Sequence, residues 1–154
     1  MAAACVRDGT DVVVVGDETD VEAAEVILAA AAGAGPGSVR SLAAALPLPE
    51  LTDLLETADV VLANDSGPRH VAVALGTSTV GVFWAPNLVN AGPVGRRRHR
   101  VHLSFTMSCP VCGRDCRPVH GAGCPHDDSF VAEVPAADVL ADVRDLLQTP
   151  RRVG

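Results

Sequence analysis

The chain has 154 residues, 12 basic and 19 acidic, for a net charge of −7, and every basic residue is arginine. With 48% apolar and 20% charged residues it has a globular composition rather than a disordered one. An acidic surface with 3% aromatics and no tyrosine excludes a general nucleic-acid binder, which needs a basic face and stacking platforms. No run of about 18 apolar residues exists to span a membrane. The first residues show no basic end followed by a long apolar run, so a cytoplasmic protein is expected. The absence of lysine removes lysine nucleophiles and phosphate-loop lysines from consideration.

In chain order, Asp11–Asp17 is a β-branched run ending in a turn, as in buried strands of parallel sheets. Thr19 and Glu22 have capping-box spacing and predict a helix through Ala32, with Val21, Ala24, Ile27 and Leu28 on one face. The glycines of 33–37 end it, and Val39–Leu42 is a short strand. Pro49 opens a second helix with Leu51, Leu54 and Leu55 on its apolar face. Asp59–Ala63 is another buried strand, running into the turn Asn64-Asp65-Ser66-Gly67-Pro68 and a helix that Gly76 stops after Leu75. Thr79–Phe83 and Val101–Leu103 read as further strands. Pro135 starts a final helix over 135–148 with the stripe Val139, Leu140, Val143, Leu146, Leu147. Strands alternating with helices imply βαβ crossovers: an α/β, Rossmann-like, mostly parallel sheet with helices on both faces. We expect one domain over 1–154, with a Cys-rich loop at 107–128.

The turn at Asn64–His70 carries the first chemistry. In open α/β sheets, ligands bind beyond the carboxyl ends of the strands. Ser66 and Gly67 there place backbone N–H groups at a helix start, which suits an anion. Gly67 permits close approach, Asp65 is placed to accept hydrogen bonds from a hydroxyl-rich ligand, and His70 lies one turn in. The other reading is a helix cap and nothing more, and from spacing alone the two weigh equally.

The stretch Ala58 to Phe83, centred on Asn64-Asp65-Ser66-Gly67-Pro68-Arg69-His70, resembles the signature of glycosyltransferase family 9, the ADP-heptose:lipopolysaccharide heptosyltransferases. The resemblance extends upstream to Val12–Asp17 and Leu48–Leu55, and downstream to Gly92-Pro93 and Arg98–Val101. It implies the C-terminal half of a GT-B fold, the half that binds a nucleoside diphosphate sugar for transfer to a carbohydrate or lipid-linked acceptor. It implies donor-binding roles for Asn64, Asp65, Ser66, Gly67, Pro68 and His70: sugar hydroxyls on Asp65, pyrophosphate on the Ser66 and Gly67 N–H groups, His70 beside it. The family's acceptor site and catalytic carboxylate lie in an N-terminal domain with no counterpart in this sequence. The catalytic residue is therefore unknown, and catalysis by this chain alone is not expected, because transfer requires donor and acceptor to be held together. Arg69 stands where the family often has methionine, and Trp84–Asn87 departs from its usual loop. The alternative class is a non-catalytic, zinc-stapled Rossmann-like interaction module. A missing N-terminal domain or partner chain, or self-association through exposed sheet edge, is expected under either reading.

Cys109-x2-Cys112-x3-Cys116-x7-Cys124 places four thiols within sixteen residues. Such spacing favours a tetrahedral, structural Zn²⁺ held by Cys109, Cys112, Cys116 and Cys124, with His120 or His126 able to replace one of them. An iron–sulfur cluster and free or paired thiols remain open. Similar stretches occur in the resembled family, whose best-known members are not generally described as metal enzymes. Several smaller signals are each read two ways. The basic run Arg96–Arg100 is a solvated turn or a pyrophosphate fork. Asp17 and Glu18 cap a helix or touch a ribose. Trp84 packs in a core or stacks on a ligand.

Overall fold

The computed structural model describes residues 1–95, 97–117, 124–126 and 128–149. The chain forms two compact units, Met1–Asp53 and Leu54 onward.

In the first unit, α1 (Ala2–Arg7) precedes β1 (Val12–Val14), α2 (Val21–Ala31) and β2 (Val39–Ser41). β1 and β2 pair in parallel, Val12 opposite Val39 and Val14 opposite Ser41. Parallel pairing of neighbours in sequence needs a crossover, which α2 supplies. Val6, Ala24 and Ala31 are buried, so this core is built mostly from small side chains. Small residues let the backbone close in. A Cβ on Gly35 would stand 2.4 Å from Arg7 Cα, and one on Gly37 would stand 2.3 Å from Thr10 O. The glycines that end α2 are therefore also needed where the return chain crosses the α1–β1 loop.

One expectation shifts here. The capping box is formed by Asp17 and Asp20 on a 3-10 turn, Glu18–Asp20, and not by Thr19 and Glu22 on α2. Asp17 Oδ1 accepts from both Thr19 N (2.8 Å) and Thr19 Oγ1 (2.6 Å), so a carboxylate captures the hydroxyl that spacing had assigned as the cap. The capping reading of Asp17 is the one realised. Nor did the sequence reading include α1.

α3 (Leu48–Thr57) follows, and the boundary between the units falls within it. The second unit continues with β3 (Val60–Asn64), α4 (Gly67–Ala74), β4 (Ser78–Trp84), α5 (Ala85–Ala91), β5 (His99–Ser104) and α6 (Ala136–Gln148). The sheet order is β3-β4-β5, all parallel, with Val60 opposite Ser78 and Thr79 opposite His99. β4 is central and the best-shielded strand: five of its seven residues are buried, and Val82 and Trp84 are half-buried.

Helices lie on both faces of this sheet. Side chains alternate along a strand. On one face, Arg69 of α4 lies over the Phe83 ring and against Gly81. On the other, Arg100 and His102, opposite Val80 and Val82, face Asp142 and Asp145 of α6. α6 buries Val139, Val143 and Leu146, one per turn, as its apolar stripe requires. α5 was not expected: Pro86 in its first turn marks a helix start that reads equally well as a loop.

Candidate functional site

β3 ends at Asn64, and Asp65 N still donates to Val82 O at 3.1 Å, so the ladder carries the carboxylate to the edge of the sheet. The chain then turns into α4. Ser66 is the N-cap in extended conformation (φ −145°, ψ 164°), but its side chain makes no cap bond. The simple capping reading is therefore not realised through a side chain. The first-turn N–H groups of a helix have no carbonyl partner inside that helix, and Pro68 removes one of them altogether. Gly67 is exposed, and a Cβ built there meets nothing within 4 Å. The helix start thus presents open backbone toward solvent.

Asp65 is turned toward the next helical residues. Its Oδ1 lies 3.3 Å from Arg69 Nη2 and 3.2 Å from His70 Nε2. Arg69 is 1% exposed, also donates to Ala91 O at 2.8 Å, and stacks 4.5 Å above Phe83. His70 is half exposed, its ring nitrogens 3.2 Å from Arg69 Nη2. Nη2 is equidistant from the two ring nitrogens and so lies against the imidazole, while Nε2 also lies 3.2 Å from Asp65 Oδ1 and, when it carries the proton, donates to that carboxylate. Of the six residues expected to bind a donor, Asp65 and His70 are joined directly. Ser66, Gly67 and Pro68 form the helix start beside them, and Asn64 is exposed at the strand end. Sequence reasoning missed Arg69 as a partner. The signal was its i,i+4 spacing from Asp65, which brings the residue just before the N-cap against the first turn of α4.

The second constellation lies in the Cys-rich loop. Its stem is fixed by Ser104, whose hydroxyl contacts Phe130 O and Glu133 Oε1 (2.7 Å), and by Trp84 Nε1–H donating to Thr106 O at 2.8 Å. Trp84 also packs against Phe130 with ring centroids 5.2 Å apart, so of its two readings the packing one is realised. At the tip, Cys109, Cys112, Cys124 and His126 bring one ligand atom each within 4.8 Å of one another. Cys116 is not in this group; its thiol donates to Arg114 O, and His126 stands in the place expected for it. His120 lies outside the described residues. Cys109 is held down to about 6, first by the Cys112 backbone N–H and then by the Cys124 thiol and the Val111 N–H. Cys124 feels a lowering from the His126 N–H, but Cys109, burial and Cys112 together push it up to about 11.

Two arginines of the basic run are engaged within the fold. Arg98 Nε donates to Ser78 Oγ, and Arg100 pairs with Asp142 and Asp145. Arg96 lies outside the described residues. No helix among the described residues is long and apolar enough to cross a membrane.

The family description "Glycosyltransferase family 9 (heptosyltransferase)" matches residues 1–117. The chain belongs to glycosyltransferase family 9. Lipopolysaccharide heptosyltransferase 3 of Escherichia coli is 28% identical over 109 residues, covering 71% of this chain and 29% of that protein. The chain thus spans less than a third of the length of this curated family 9 relative. A family 9 glycosyl transferase from Veillonella parvula superposes with a TM-score of 0.70 at 18% identity, over 95% of this chain and 39% of that one. The parallel α/β fold is accordingly that of a family 9 protein.

Proposed function

We propose that this domain binds the donor of its transferase, a nucleoside diphosphate sugar, at the junction of β3 and α4. The observation that carries the reading is the uncapped, open start of α4 at Ser66-Gly67, flanked by Asp65 and His70. A diphosphate placed there meets backbone N–H groups and the positive end of a helix. Asp65 keeps Oδ2 beyond its contacts through Oδ1, and that oxygen suits a sugar hydroxyl. His70, half exposed, closes one side.

In the transfer, the bond from the anomeric carbon to the diphosphate breaks as the acceptor oxygen attacks from the opposite face. Negative charge then grows on the leaving diphosphate. Donors fixed before the reaction stabilise that charge without reorganising, and the α4 N–H groups are such donors. A zinc in the Cys-rich loop is structural in this reading, since it takes no part in displacement at the sugar.

The test is calorimetric titration of the chain with ADP, GDP, UDP and dTDP, for the wild type and for Asp65→Asn. The expected result is binding of one diphosphate, weakened in the variant, which also names the base. Equal affinity in both proteins, with all four nucleotides, overturns the assignment of Asp65.

A further inference from the structure

We infer that Cys109, Cys112, Cys124 and His126 form a closed zinc site, and that Cys116 is not a ligand. The four come from two separate segments of the loop, and burial does not explain why they meet. Cys109 is buried, but Cys112 and His126 are exposed. What they share is ligand chemistry: three sulfurs and an imidazole nitrogen, all within 4.8 Å of one another. A tetrahedral zinc with Zn–S of about 2.3 Å and Zn–N of about 2.0 Å needs ligand atoms roughly 3.5–3.8 Å apart. His126 Nδ1 lies 3.7 Å from Cys109 Sγ and 3.3 Å from Cys124 Sγ, close to that requirement.

The backbone is arranged for thiolates. Val111 N donates to Cys109 Sγ at 3.4 Å, and His126 N donates to Cys124 Sγ at 3.3 Å. Such bonds orient a ligand sulfur and stabilise its charge. Cys109-Pro110-Val111-Cys112-Gly113 makes a tight knuckle: Gly113 N donates to Cys109 O (2.9 Å) and Cys109 N to Arg114 O (2.8 Å). Gly113 has φ +71°, the left-handed conformation that lets the chain double back after Cys112. The return strand then pairs Ser108 with Asp115, and Cys116 N donates to Met107 O. That pairing draws Cys116 down the stem and away from the knuckle's tip, which explains why the fourth ligand is His126.

The donor set selects the metal. Three thiolates and one imidazole suit zinc and reject calcium or magnesium, which want oxygen. Four protein ligands close the coordination sphere, so the ion holds the loop and leaves no position for substrate. It would tie the knuckle to the segment that leads, through Glu133, back to Ser104 and into α6.

The test uses the full chain, purified under reducing conditions without chelator. Metal analysis should find one zinc per chain. Cys124→Ser and His126→Ala should each weaken zinc affinity by at least about tenfold. Cys116→Ser should retain one zinc. Because loss of a ligand can also unfold the loop, Co²⁺ is exchanged into the wild type and into Cys116→Ser. Both should show the intense visible bands of tetrahedral cobalt together with thiolate charge-transfer absorption. Four outcomes overturn the site: a chain without zinc that fails to take up cobalt, an iron–sulfur chromophore, a Cys109–Cys112 or Cys109–Cys124 disulfide in the reduced preparation, or loss of metal in Cys116→Ser equal to that in Cys124→Ser.

Discussion

Arg69 and Asp65 form an i,i+4 pair across the start of α4 in which the cation is buried and the anion sits at the mouth of the candidate site. The guanidinium is 1% exposed and the carboxylate 15%. Arg69 Nε is buried without a hydrogen-bond partner, so Asp65, Ala91 O and the His70 ring around Nη2 carry its polar compensation while Phe83 covers its face. Removing one partner of a buried pair leaves the other charge unmatched, which costs more than the pair contributes. Asp65→Ala should therefore lose about 2–3 kcal/mol of stability. Arg69→Met, which replaces the cation by an apolar chain of similar length, should stay within about 1 kcal/mol of wild type. Combining the two substitutions should recover most of the loss. Urea unfolding of the four proteins checks this, and strictly additive losses would refute the coupling.

Gly67 offers a cleaner probe of ligand binding than Asp65, because it carries no structural partner. A methyl group there meets nothing within 4 Å, and the backbone is not in the left-handed region. Gly67→Ala should change stability by less than about 0.5 kcal/mol. The same methyl would stand where a diphosphate must approach the helix start, so nucleotide affinity should fall about tenfold or more, roughly 1.4 kcal/mol. Unchanged affinity in a normally folded Gly67→Ala protein would move the diphosphate away from α4.

The sequence showed the strand ends and the β3–α4 turn because those signals are local. A β-branched run followed by Asn-Asp-Ser-Gly-Pro fixes a strand, a break and a helix start within a dozen residues. The partners of Asp65 were harder to see. Its carboxylate had a cap, a ligand and an i,i+4 cation competing for it, and the buried environment of Arg69 decides that competition. The metal ligands were legible as residue types and not as a set. Spacing favours Cys116, but the Ser108–Asp115 pairing withdraws it, and such pairing is not encoded in the thiol pattern. α1 and α5 escaped because each is a single short stretch of six or seven residues with no amphipathic repeat to reveal it.

His99 should make stability fall on the acid side of neutrality. Its Nδ1 lies 3.0 Å from Thr79 Oγ1, and burial, with Arg98 and Arg69 nearby, holds its pKa below 6.5. Below 6.5 the unfolded chain takes up a proton that the folded chain does not, so stability drops as pH falls from 6.5 toward the folded pKa and then levels. His99→Gln, which retains a polar group without the titration, should flatten this slope. Thermal unfolding between pH 5 and pH 8, in both proteins, measures it; parallel curves would exclude His99 as the source.

Glu133 should add a second loss at lower pH, and it should be local to the Cys-rich loop. Ser104 is fully buried, and its hydroxyl is the first of several groups that hold the Glu133 pKa below 4.5, followed by Thr106 and the Phe105 N–H at 2.9 Å. A carboxylate with a depressed folded pKa stabilises the fold above its unfolded value, and that contribution disappears as pH falls through the folded pKa. Glu133→Gln should lose this part of the acid response. Ser104→Ala should cost about 1–2 kcal/mol at neutral pH, because the single O–H donor shared by the Phe130 carbonyl and Glu133 is lost from a buried site. Trp84, the sole tryptophan, packs on Phe130 and bonds Thr106 O, so its fluorescence reports the loop stem directly. An acid transition seen by Trp84 in the wild type and missing in Glu133→Gln would locate the switch at this stem. The same transition in both proteins would place it elsewhere.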